Sequence, residues 1–185
     1  DHRDLHSFPT RRSSDLIMMV FVVLISIIGA GFAWYYEDWS VLLYVFTISV
    51  VYAVFQYFAA GSLAVMMSGA KEITKRDNPR LYNIVENLAI TAGLPMPKVY
   101  IIHDDAPNAF ATGRDPEHAS VAATSGLLDI MDDKELTAVM GHELSHVKNY
   151  DIRVSTIVFG LVALVGFISD IGFSIYFFIK LYYYY

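Results

Sequence analysis

The sequence predicts an α+β protein with transmembrane helices: two N-terminal membrane spans, a small sheet-plus-helix unit, and a third span. Three observations predict it. The 185 residues are 55% hydrophobic and 15% aromatic, too apolar for an ordinary soluble domain of this length. Three apolar runs, Leu16–Tyr36, Val41–Met67 and Val154–Ile179, are each long enough to cross about 30 Å of hydrocarbon as a helix. Between the second and third runs, short β-branched segments are interleaved with stretches of helical periodicity.

In chain order, the first sixteen residues stand apart. Ser7–Leu16 (SFPTRRSSDL) reads as the translation of a sequencing adapter, so residues 1–16 are taken as non-native. Arg11, Arg12, His2 and His6 therefore carry no argument about topology or metal binding. A signal peptide is a poor alternative, because the following apolar run is long and no small-residue cleavage site succeeds it.

Residues 17–68 hold the first two spans, joined by Glu37-Asp38-Trp39-Ser40. Trp34, Tyr35 and Tyr36 suit a membrane interface. A chain this short has no core able to hide two such runs. Lys71, Lys75, Arg76 and Arg80 follow the second span, and Lys148 and Arg153 precede the third, whereas the first connection carries only acids. The positive-inside tendency thus places residues 69–153 in the cytoplasm, in a multi-pass protein of the inner (plasma) membrane. The lipid bilayer is one expected partner, and no nucleic acid is expected. The absence of cysteine excludes a thiolate metal ligand and a thiol nucleophile.

Within residues 69–153, Asp77-Asn78-Pro79 opens an amphipathic helix carrying Leu81, Ile84, Val85 and Leu88, and Gly93-Leu94-Pro95 ends it. Lys98–His103, Asn108–Gly113 and Ala119–Thr124 read as three short strands, the last two separated by the turn Arg114–Glu117. Ser125–Leu128 leads on to a helix started by Asp132, with Glu135 three residues later. That helix carries His142-Glu143-Leu144-Ser145-His146. Imidazoles four residues apart project from one helical face, where both can bind a single Zn²⁺. Glu143 lies about 100° around the axis, placed to take a proton from water acidified by the metal. The bland alternative is an amphipathic helix with two surface histidines. A small sheet beside such a helix can offer an edge strand to an extended peptide, and Asn108, Ala109, Phe110 and Ala111 are the candidate edge.

The run from Pro95 to Asp151, with NAFATG at 108–113, TSGLLDIM at 124–131 and GHELSHVKNYD at 141–151, resembles the HtpX family of membrane zinc metalloproteases, relatives of the CAAX-prenyl protease among the gluzincins. The resemblance covers about residues 17–175 and extends to the order of the spans. It implies a zincin-like domain and Zn²⁺ held by His142 and His146, with Glu143 as catalytic base. It further implies cleavage of misfolded or damaged membrane proteins at the cytoplasmic face, within protein quality control. One departure stands out. The family completes its site with a glutamate from a later helix, and no glutamate follows Glu143 here; the downstream carboxylates are Asp151 and Asp170. The metzincin alternative, a histidine six residues after the second, meets Ile152. Residues 69–153 are therefore read as an incomplete metallopeptidase domain, 154–179 as the third span and 180–185 as a tail. The chain is expected to be an N-terminal fragment, weakly metallated and inactive as it stands.

Asp151 has two readings: a partner that orients a ligand, or a cap for the third span, the latter preferred because a regular helix places it opposite His142. Asp170 is expected at the interface, with the third helix ending near Ser169. His103 and His118 read as ordinary histidines, Lys71, Lys75 and Arg76 as topogenic, lipid-facing charges, and Gly29 and Gly31 as sites of close helix packing. Against the zinc endopeptidase stand two other classes: an intramembrane metalloprotease, disfavoured by the charges bracketing the motif, and a non-catalytic membrane adaptor or pseudoprotease.

Overall fold

The computed structural model describes residues 8–162 together with 166 and 170. Two helices lead, α1 (Phe8–Tyr35) and α2 (Ser40–Met67). Within α1, Asp15–Tyr35 is apolar enough to span a membrane, as is all of α2. Only 11% and 17% of their most apolar stretches are buried, so neither is the core helix of a soluble domain. They pack closely where Gly29 meets Val45; an added Cβ would come within 2.8 Å of that side chain. Gly31 faces open space instead. Most of the expected third span lies outside the described residues, as do the tail and residues 1–7. Residues 151–162 are helical and are called α6. Asp170 is also helical and exposed, where the sequence reading has the helix already finished.

The elements after α2 are β1 (Lys71–Glu72), α3 (Pro79–Ala92), β2 (Lys98–Ile102), β3 (Ala109–Thr112), β4 (Ser120–Thr124), α4 (Ser125–Ile130) and α5 (Asp133–Lys148). α3 starts as expected: the Asn78 side chain accepts from the Leu81 N–H, Pro79 occupies the first turn, and Gly93 closes it at φ 67°. β1 is an element the sequence reading missed. Lys71 thus pairs opposite Ile101 in a sheet, and Lys75 forms an ion pair with Glu86 at 2.7 Å.

The sheet runs β1-β2-β4-β3. β2 and β4 are parallel, with Val99 opposite Val121, and β1 and β3 flank them antiparallel. β3 is therefore an edge. One face of the sheet is covered by α3 and α5, whose Leu81, Val85, Leu136, Met140, Leu144 and Val147 close over Val99, Val121 and Ala123. The spacing of the α5 residues is that of one helical stripe, which turns the remaining face of α5 outward.

α4 is a separate helix, not the start of α5. Met131 and Asp132 are extended, and Arg80 bridges the joint by donating to the Leu128 and Met131 carbonyls and to Asp133. α5 then begins with a capping box: the Asp132 side chain accepts from the Lys134 and Glu135 N–H groups, while Glu135 accepts from the Asp132 N–H.

Candidate active site

The site is assembled by three elements. α5 turns His142 and His146 outward, with Leu144 and Val147 between and beyond them in the core. The two Nε2 atoms lie 3.2 Å apart and the rings are nearly perpendicular. Two imidazoles bound to one zinc at about 2.0–2.1 Å in tetrahedral geometry hold their nitrogens about 3.3 Å apart, so this donor pair fits such a cation. Among the described residues no third His, Cys, Asp or Glu joins the pair.

His146 is oriented from behind by Asp151, whose Oδ2 lies 3.2 Å from Nδ1. The sequence reading preferred a capping role for Asp151 because it extended the helix regularly to that residue. The helix does not continue. Asn149 ends α5, and Tyr150 adopts φ 63°, a left-handed conformation unusual for a side chain of this size. The chain is thereby redirected and α6 begins, bringing Asp151 to the ligand face. A hydrogen bond at Nδ1 leaves Nε2 as the nitrogen for a metal and fixes the ring plane.

Glu143 lies between helix and sheet, and its Oε2 accepts from the Ala111 N–H at 3.2 Å. This bond reports the register of the edge. Thr124 N–H donates to the Asn108 carbonyl, so alternate residues of β3 face β4. The main-chain groups of Phe110 and Thr112 share that inward direction, whereas those of Ala109 and Ala111 point to the open side. Of the four edge residues named from the sequence, Ala109 and Ala111 thus point main-chain groups away from the sheet, the Ala111 N–H toward Glu143. Asn108 is held by Thr124, its N–H donating to the threonine hydroxyl.

The far end of β3 is pinned by Thr156 of α6, a residue not singled out from the sequence. Thr112 and Thr156 are buried with their hydroxyls 2.9 Å apart, and Gly113 N–H donates to Thr156 Oγ1. Gly113 has φ 143°, and a Cβ there would sit 2.5 Å from the His118 carbonyl oxygen. The signal for Thr156 was hidden because it falls among apolar residues of the presumed third span. His118 is a surface histidine with two polar partners. It contacts Asp115 Oδ1 through Nδ1 at 2.6 Å and Arg114 through Nε2 at 2.7 Å. Burial pushes the Asp115 carboxyl up, but the hydrogen bonds and charge of His118, with Arg114, outweigh it and hold the group below its usual range.

α2 carries this assembly. The Arg114 guanidinium lies over the Phe58 ring and that of Arg153 over Tyr57, each 5.0 Å from the centroid. Gly61 faces Gly113, with room for little more than hydrogen. Tyr52 donates to the Gly160 carbonyl at 2.9 Å and buried Gln56 donates to that of Ile157, tying α6 along α2. Arg153 also donates to Asp15 at 2.8 Å.

Comparison with known proteins supplies the family. Residues 75–178 match peptidase family M48. The chain is 58% identical over 167 residues to a protease HtpX homolog of Tropheryma whipplei, covering 90% of this chain and 57% of that protein. It is 44% identical over 164 residues to a protease HtpX homolog of Lactobacillus acidophilus and 42% identical over 164 residues to one of Streptococcus gordonii, each match covering 88% of this chain and 55% of the relative. The chain spans a little over half the length of these relatives. With its histidine pair, backing aspartate and edge strand in a matched segment that exceeds half its length, the chain belongs to peptidase family M48 and is of the HtpX type.

Proposed function

We propose that this chain belongs to a membrane-anchored zinc endopeptidase that cleaves misfolded or damaged membrane proteins at the cytoplasmic face of the inner membrane. The observation that carries the reading is the convergence of His142 Nε2 and His146 Nε2 at 3.2 Å, with Asp151 behind and Glu143 beside them. When bound there, a divalent cation supplies Lewis acidity and lowers the pKa of water. The chain's own residues do the rest. A peptide laid along β3 pairs with the outward groups of Ala109 and with the Ala111 carbonyl, and so passes beside Glu143. The Glu143 carboxylate, steadied by the Ala111 N–H, takes a proton from attacking water and returns it to the leaving amine. Asp151 holds His146 in one tautomer and orientation.

Among the described residues the set of ligands is short by one, since structural and catalytic zinc sites use at least three protein ligands. The chain alone is accordingly proposed to hold zinc weakly and to be inactive. The longer protein supplies the remaining ligand. In that protein, Glu143→Gln is expected to retain zinc and lose proteolysis, whereas His142→Ala loses both. Elemental analysis beside a cleavage assay reads the two outcomes. Undiminished cleavage by Glu143→Gln removes the assigned base, and zinc retained by His142→Ala removes the assigned ligand.

A further inference from the structure

We propose that the cavity beside Ala111 is a substrate subsite for a large apolar side chain, carried by a segment that the protease draws from the bilayer. The inference rests on the reading of β3 as the strand that pairs with substrate. The cavity, about 470 Å³, is bounded by Ala64 and Met67 of α2, Phe110 and Ala111 of β3, and Thr156 and Phe159 of α6. It adjoins the β3 edge beside Glu143, because Ala111, whose N–H donates to Glu143, is also one of its lining residues. Its location along the edge therefore matches that of a side chain next to the bond under attack.

Chemistry selects the occupant. Among the hydroxyls on the wall, Ser68 donates to the Val65 carbonyl, and Thr112 and Thr156 satisfy each other and Gly113. Ser155 adds one further hydroxyl to the wall, and the rest of the surface is methyl, methylene and aromatic carbon, which favours an apolar guest large enough to displace the water. The level of the cavity selects the source. α2 has 28 residues, about 42 Å of helix, against about 30 Å of hydrocarbon, leaving a surplus of about eight residues. Arg114 and Arg153 meet α2 at Phe58 and Tyr57, and Gly113 meets it at Gly61. The surplus, about residues 60–67, therefore emerges at the C-terminal end of α2, and Ala64, Met67 and Ser68 stand about 6–12 Å beyond the hydrocarbon, at the level of the headgroups. A side chain entering here comes from sequence that was just inside the lipid.

The test uses the longer protein, zinc-loaded in detergent, with peptides that differ at one position near the scissile bond. At one such position, Phe or Leu is expected to exceed Ala in kcat/KM by about tenfold or more. Ala64→Phe fills the cavity and brings that ratio close to one with zinc content unchanged. Phe159→Ala enlarges the cavity and moves the optimum toward Trp. The same ratio in all three forms overturns the subsite; this is the result expected if another part of the longer protein fills the cavity. A wild type that cleaves without side-chain preference overturns the subsite alone. A zinc-loaded wild type that cleaves none of the peptides overturns the endopeptidase reading with it.

Discussion

The residues with chemistry divide by how local their geometry is. His142, Glu143 and His146 were legible because a single helix fixes their relation, and four residues on a helix is a known distance. Asp151 was legible as a residue but not in its role, since the left-handed Tyr150 that swings it to His146 has no sequence signal of the Gly or Asn kind. Replacing it tests that role. In the longer protein, Asp151→Asn is expected to weaken zinc binding about 10- to 100-fold, read by competition with a chelator, while the fold persists. Asp115 yields a pH prediction. Its folded-state pKa is depressed, so the stability it contributes is present above the ordinary carboxylate value near 3.8 and is lost as pH falls through the lower folded value. Asp115→Asn should therefore lower stability at neutral pH and flatten the acid limb of a stability profile below about pH 4; an unaltered acid limb counts against the contact.

At the scale of elements, caps announced themselves and joints did not. Asp132 with Glu135, and Asn78 before Pro79, marked the starts of α5 and α3 because side chains that satisfy free N–H groups are few and specific. The separation of α4 from α5 depends on Arg80, which is 48 to 53 residues distant in sequence, so no local pattern shows it. β1 was hidden for a similar reason: two residues carry no periodicity, and their strand conformation comes from pairing with β2. Asp132→Ala is expected to cost about 1 kcal/mol, seen as a lower midpoint of thermal unfolding. Gly113→Ala should cost more, about 1–3 kcal/mol, because its φ and the His118 carbonyl both oppose a side chain. A neutral Gly113→Ala argues against the close approach of Gly113 to the His118 carbonyl.

At the scale of the molecule, membrane character was plain from composition, while the fit between helices and sheet was not. Apolar runs reveal length alone; the contacts that place the sheet on α2, namely Arg114 over Phe58 and Gly113 at Gly61, join positions more than 50 residues apart. Orientation remains testable with the chain's own composition, since it has no cysteine. A cysteine at Asp38 is expected to react with an impermeant maleimide on intact cells, and one at Asp104 only after lysis; the reverse pattern inverts the proposed topology. The two-residue joint Asn149-Tyr150 ties these scales together. Inserting one residue there would rotate everything downstream by about 100°. Asp151 would leave His146 and Thr156 would leave Thr112 in a single step, so the length of that short corner constrains the protein as tightly as the histidine spacing does.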